Sequence, residues 1–342
     1  MLKHTGGRLL VWGRDELVRL SNVASQRPAM IDGLVVVALS IVGLVVARHL
    51  LQDGFPPGVD TPTFLHMSWF TRETLLGDGG LIDPYWYDGF PMFTTYPPLS
   101  YTVVGALAAL PGFGLIFTYK LVLIAAYIGT GVATYALARE IGNTRPWCAL
   151  AAMLTMLAHP VLVSVGLWGW FSSIVALPLA LAALAMLERA YHGGRARFAV
   201  AGGVALGLAV LAHHMTAFAL VLGLPAWVLL YHLRHPGERR RLYRMVLLFS
   251  GAVAVTTVWW IIPWALNLLE VGFQREIPGN WSFPLDRYLR AITQGDLIGM
   301  YAYPTYLGIG LIVMAIGGMV QAVMVPSRAT PYVILLVLLV AF

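Results

Sequence analysis

The sequence predicts an all-α polytopic integral membrane protein, a bundle of about ten transmembrane helices with a large first extracytoplasmic loop carrying interfacial helices. Three observations predict it. Only 11% of residues are charged and 59% are hydrophobic, with a mean hydropathy of +0.76, whereas ordinary soluble domains carry about 25% charged residues. Apolar stretches close to 20 residues recur from residue 31 to the last residue, the length that crosses a hydrocarbon core about 30 Å thick as a helix. Segments such as LVVVALSIVGLVV (residues 34–46) are apolar on every face, which excludes a barrel, whose strands alternate in polarity over about 10 residues.

The net charge of +6 belongs to short loops between apolar runs. That is positive-inside bias, and no nucleic-acid partner is expected. Residues 1–30 carry Lys3, Arg8, Arg14, Arg19 and Arg27 against Asp15 and Glu16, which makes them a cytoplasmic N-terminal segment ahead of one membrane domain, 31–342. The first helix, 31–51, ends without a small-residue cleavage site and is read as retained. The loop 52–98 follows, with Asp53, Asp60, Glu73, Asp78, Asp83 and Asp88 against Arg72, so it is placed outside. Within it, TPTFLHMSWFTRETLL (61–76) mixes apolar and polar groups behind a Thr-Pro start, as a helix lying in the interface does.

Further spans are expected at 99–112, 115–138, 147–164, 170–188, 197–213, 216–232, 245–268, 303–325 and 331–342. The segment 232–244 holds five arginines and one glutamate, and 188–198 holds Arg189, Arg195 and Arg197. Both face the cytoplasm, so the HHMT turn, the stretch 159–171 and the later loop 269–302 lie outside. One conflict of parity arises. Two full crossings between 99 and 138 would put Arg139 and Arg145 outside, and the short run 99–112, ending in the breaker PGFG, is the candidate for a re-entrant or juxtamembrane helix. The final run stops at 342 without a following loop, so the chain is expected to continue. Cys148 is the only cysteine, which excludes an internal disulfide or a thiolate metal site.

Chemistry concentrates in the outer segments. Asp60 follows a Pro-Pro-Gly turn beyond the first helix, where a carboxylate can take a proton from an attacking hydroxyl; the competing reading is a helix cap, since Pro62 sits just inside the helix. The loop aromatics either anchor it in the interface or line a site. His213 and His214 end a helix on the same side and can hydrogen-bond a phosphate, although adjacent residues on a helix diverge, so at most one faces a shared cavity. Arg275, Arg287 and Arg290 offer bidentate donors to a phosphate. Trp168 and Trp170 can stack on a sugar ring or anchor a helix mouth. No Walker loop, dinucleotide fingerprint, zinc motif or nucleophile elbow is present.

The acid after the first helix, its spacing to His66, and YWYDGFPMFTTYPPLSY (85–101), which contains Asp88 and Tyr96, resemble the GT-C superfamily of polytopic membrane glycosyltransferases. More narrowly, residues 58–105 and the HHMT turn look like the 6-pyruvoyl-tetrahydropterin-synthase-related membrane family, a name that does not imply pterin chemistry. The resemblance implies a polyprenyl-phosphate sugar donor and an acceptor (glycan, lipid or protein) reached from the extracytoplasmic face of the plasma membrane. It makes Asp60 the essential acid; His66, Asp88, Tyr96, Trp168, His213, His214 and Arg275 are the candidate substrate contacts. Some GT-C enzymes hold the lipid phosphate with a divalent cation, Mg or Mn, through paired acids. The loop has no such pair, and no metal ligand is assigned. The competing readings are a transporter or flippase, which would place ionisable groups near the midplane, and an inactive lipid-binding scaffold of the same fold.

Overall fold

The computed structural model describes residues 28–86 and 89–271, together with 316, 317 and 320. Its regular elements are helices, joined by one isolated antiparallel bridge between Asp83 and Phe90. Helix α1 (Pro28–Val46) runs into a 3₁₀ turn, Ala47–Leu51. The first loop contains α2 (Thr61–Leu76), the short α3 (Met92–Thr95) and α4 (Leu99–Ala108). Then come α5 (Leu115–Glu140), α6 (Arg145–Leu157) and α7 (His159–Val163), the last continuing into a π-helical turn, Ser164–Trp168. The second half is α8 (Phe171–Gly193), α9 (Ala196–Ala212), α10 (His214–Arg234) and α11 (Arg239–Val271). Pro178, Pro225 and Pro263 stand inside α8, α10 and α11, as membrane helices tolerate when neighbours re-satisfy the backbone.

Five described helical segments are long and apolar enough to cross a membrane, or six if the pair α6 and α7 with its π turn, bent by 44°, is one span. The apolar α9 is shorter, at 17 residues. The expectation of ten spans is therefore met only in part. The runs at 303–325 and 331–342 and the outer segment 272–302 lie outside the described residues, apart from 316, 317 and 320.

Side-chain contacts sort the helix ends into two faces. At one face, Arg145 forms a two-pronged pair with Asp32, Nε to Oδ1 at 2.8 Å and a second nitrogen to Oδ2 at 3.2 Å, and Tyr135 donates to the same carboxylate. Glu140 lies 3.6 Å from Arg189, and Arg241 donates to the Tyr191 carbonyl. At the other face, Lys120 donates to the Gln52 carbonyl at 2.7 Å, Asp60 N–H to the Trp168 carbonyl, Ser100 to the Ala212 carbonyl, and Asn267 to Thr94. The loop from Gln52 to Lys120 thus begins and ends on one side. Helix α4, with 10 residues, spans about 15 Å at 1.5 Å per residue, half the hydrocarbon thickness. Arg139 and Arg145 share the face where α1 begins, the arrangement expected where α4 is not a full crossing.

Helix α2, expected to lie in the interface, buries Phe64, Leu65, Met67, Ser68, Phe70 and Thr71. It packs on α4, where Gly105 lets the Ser68 carbonyl and Thr71 approach. Small residues also bring α9 against α11: a Cβ at Gly203 would collide with the Phe249 carbonyl oxygen, and one at Gly207 would lie 2.6 Å from Thr256. Close backbone approach of this kind is how helices associate where water supplies no hydrophobic force between them. Glu188, fully buried on α8, accepts from Trp227 Nε1 at 2.9 Å and Tyr231 Oη at 2.9 Å, both on α10, which ties those two helices together.

Candidate functional site

The site forms where the chain leaves α1 and turns into α2. Pro56-Pro57-Gly58 directs the backbone sideways, Gly58 adopts φ +129°, and Thr61 Oγ1 donates to the Pro57 carbonyl at 2.8 Å. Pro62 is in the first turn of α2, as its fixed φ favours. Asp60 occupies the cap position with φ −88° and ψ −3°, yet its side chain makes no capping bond. The capping reading is not realised, and the carboxylate is left to the cavity beside it.

That cavity has a volume of about 200 Å³ and is lined by Asp60, Phe64, Tyr96, Trp170, Ser172, Ser173 and His213. It has room for about seven waters at roughly 30 Å³ each, the scale of a single sugar ring. Four segments build it: the start of α2, the residue after α3, the first turn of α8, and the joint between α9 and α10. Val59 and Asp60 donate backbone N–H bonds to the carbonyls of Leu167 (3.1 Å) and Trp168 (2.9 Å), which joins the entry to α2 to the π turn ahead of α8. Phe64 meets Tyr96 edge-on at 5.9 Å and Phe171 at 5.8 Å, closing the apolar side.

Partial burial raises the pKa of Asp60 above the usual carboxylate value because desolvation disfavours its charge. The Tyr96 hydroxyl is also pushed up, by burial first and by the nearby Asp60 charge, so it stays a neutral hydrogen-bonding group. His213 breaks the helix between α9 and α10, with φ −159° and ψ 101°. Its Nδ1 accepts from the Thr216 backbone N–H at 3.3 Å and lies 2.7 Å from Thr216 Oγ1 and 3.2 Å from Ser173 Oγ. A backbone N–H can only donate, so Nδ1 carries no proton, and the neutral ring holds its proton on Nε2. Burial, with His214 alongside, pushes the pKa of His213 down to about 4. It is an uncharged N–H donor.

Other residues marked in the sequence go elsewhere. His66 Nε2 sits 2.6 Å from Oδ2 of the fully buried Asp83. Asp83 Oδ1 accepts the Tyr85 N–H, and the Asp83 backbone bridges Phe90. His66 thus fastens the loop to α2, with the rings of Trp69 and Trp86 beside it at 5.6 and 5.1 Å, and it does not line the cavity. His214 packs near Trp264 and Trp260 on α11 at 5.7 and 6.2 Å. Trp168 contributes its carbonyl to the Asp60 junction, and its ring lies 6.0 Å from Trp170, which takes the place at the cavity wall. Asp88 and Arg275, like Arg287 and Arg290, lie outside the described residues.

A hard divalent cation takes several oxygen ligands. Among the described residues, Asp60 is the one carboxylate lining the cavity, and no group of three His, Cys, Asp or Glu converges. Sequence reasoning missed Phe64, Ser172 and Ser173. The available signal was the adjacent serine pair opening an apolar helix, since polar groups inside membrane helices mark sites more often than soluble ones do.

A family model described as "6-pyruvoyl-tetrahydropterin synthase related domain; membrane protein" matches residues 93–342, well over half of the chain. Tyr96, Trp170, Ser172, Ser173 and His213 fall inside that range, whereas Asp60 and Phe64 precede it. No curated protein matches.

Proposed function

The chain belongs to the 6-pyruvoyl-tetrahydropterin synthase related membrane-protein family, and from that premise we propose that it is a GT-C-type glycosyltransferase of the plasma membrane, moving a sugar from a polyprenyl phosphate to a hydroxyl acceptor. The observation that carries the reading is Asp60: a carboxylate at a helix start that caps nothing, is partly desolvated, and faces a ring-sized cavity walled by an indole, a phenol, two serines and a neutral histidine. Aromatic faces beside hydroxyl donors suit a sugar ring. The face bearing Asp60 is taken as extracytoplasmic, because the opposite helix ends carry Arg139, Arg145, Arg189, Arg195 and the run Arg239–Arg241.

In this scheme the acceptor hydroxyl enters the cavity, and Asp60 takes its proton as the oxygen attacks the anomeric carbon. The new C–O bond forms while the bond from that carbon to the phosphate oxygen breaks, and polyprenyl phosphate leaves with the electron pair. His213 Nε2–H, Ser172, Ser173 and Tyr96 orient hydroxyls of the ring. Among the described residues the lining has no cation, and the phosphate is assigned to an arginine beyond them, Arg275.

The test is release of polyprenyl phosphate from a panel of polyprenyl-phosphate sugars by the purified protein and by Asp60→Asn at matched folding. Turnover lost in the variant supports the reading. Unchanged turnover removes Asp60 from the mechanism, and no turnover with any donor shifts weight to transport or scaffolding.

A further inference from the structure

Gly58 and Gly169 come from distant parts of the chain and meet at the cavity rim. A Cβ on Gly58 would lie 2.6 Å from the Gly169 Cα and 2.8 Å from its nitrogen. One on Gly169 would lie 2.6 Å from Thr61 Oγ1 and 3.0 Å from the Gly58 Cα. Both residues also take positive φ, +129° and +65°, where glycine is unstrained and other residues are not. Gly166, in the same π-helical turn, has nothing within 4 Å of its own Cβ position. The crowding therefore belongs to the crossing itself.

The two backbone bonds from Val59 and Asp60 to Leu167 and Trp168 follow immediately after this contact. Their acceptors are aimed by the Ser164–Trp168 π turn, closed by Trp170 N–H donating to the Ser164 carbonyl at 3.0 Å. Single π turns of this kind concentrate at functional sites. No side-chain hydrogen bond to the Asp60 carboxylate is seen among the described residues, so the backbone is what holds it in place.

We infer that Gly58 and Gly169 form a backbone clasp that positions Asp60 against Trp170, Ser172 and Ser173, making the start of the loop and the break before α8 one rigid unit. The inference rests on the assignment of Asp60 as the reacting base. The glycines touch no substrate and act through Asp60 as positioning residues.

The experiment compares Gly58→Ala and Gly169→Ala with two controls. Gly166→Ala adds a methyl group in open space, and Gly77→Ala imposes strain at φ +95° without a contact. Two quantities are read: kcat and KM for polyprenyl phosphate release, and the pH midpoint of carbodiimide labelling at Asp60 by mass spectrometry, which needs no turnover. The clasp predicts kcat lower by about a hundredfold, the effect of a displacement near 1 Å, with KM changed by much less. The labelling midpoint falls toward the ordinary carboxylate value as Asp60 leaves its desolvated position. Both controls behave as wild type. Folded clasp variants with unchanged kcat and midpoint overturn the inference. If the wild type turns over no donor, the midpoint alone decides, and a shift keeps the clasp while the glycosyl-transfer reading falls. Should both clasp variants fail to fold, hydrogen exchange in the wild type decides: slow exchange at the Val59 and Asp60 amides is expected, and exchange as fast as at exposed Gly54 overturns the inference.

Discussion

At the residue scale, the partial burial of Asp60 links its ionisation to stability. Burial raises its folded-state pKa above the unfolded value, so the folded chain prefers the protonated acid. Any stability linked to that preference is fully present below the unfolded pKa and is lost as pH rises through the folded one. At neutral pH the native state therefore holds a carboxylate that would be better solvated in the unfolded chain. Asp60→Asn removes that burden, and it is expected to melt at the same temperature as wild type or higher at neutral pH, with the gap closing in acid. Thermal unfolding in detergent at both pH values checks this, and a variant that melts lower at neutral pH contradicts it. The same substitution is expected to lower turnover by about 10²–10⁴-fold, the usual contribution of a general base. His213 should leave no mark on the pH profile. With its pKa pushed down to about 4 it is neutral throughout pH 5–8, so the rate should climb along one limb set by Asp60, with no second inflection near the ordinary histidine value. An inflection near 6.5 that disappears in His213→Asn would show the ring titrating in place.

At the element scale, stability resides in close helix contacts and a few buried polar ties. Gly203→Ala forces a methyl group against the Phe249 carbonyl oxygen, and overpacking of this kind costs about 1–3 kcal/mol. Gly33→Ala on α1, with nothing within 4 Å, should leave the melting point unchanged. Equal effects at both positions would mean that α9 and α11 are not packed as described. Glu188→Ala removes the acceptor of the Trp227 N–H, a loss of about 1–3 kcal/mol for a buried unsatisfied group, while Glu188→Gln keeps an acceptor and should lose less. Some helix starts were legible in the sequence because local chemistry sets them: α4 starts after Pro97-Pro98 and α5 after Gly114. What depends on a distant partner was not legible: nothing in the sequence pairs His66 with Asp83 or packs α2 on α4. The serines of the cavity lay hidden in an apolar run. Asp60, Tyr96 and His213 were marked by position and do converge on one cavity, although nothing local showed that Asp60 would leave its helix uncapped or that a glycine crossing would hold it.

At the scale of the whole molecule, the sidedness of the chain follows from pairs that no local pattern reveals. Charge counting alone left residues 99–138 ambiguous, since two apolar runs there imply two crossings. The pair between Asp32 and Arg145 joins residues far apart in sequence, and it puts the start of α1 beside the turn after α5. The bond from Lys120 to the Gln52 carbonyl puts the end of α1 beside the start of α5. Together they require α1 and α5 to run in opposite directions with no net crossing between them. Cysteine labelling in a Cys148→Ala background can read this directly from intact cells. Phe55→Cys and Phe113→Cys, at exposed positions before and after the loop helices, should react with a membrane-impermeant thiol reagent from the same side. Asn143→Cys and Gly237→Cys should react only after the membrane is opened. Were α4 a full crossing, Phe113 would switch to the protected group and Asn143 to the accessible one, and the shared face of Asp60, Tyr96 and His213 would no longer hold. The expected pattern, with Phe55 and Phe113 accessible from outside, would also place the Asp60 cavity on the extracytoplasmic side, where a lipid-linked sugar and its acceptor can meet.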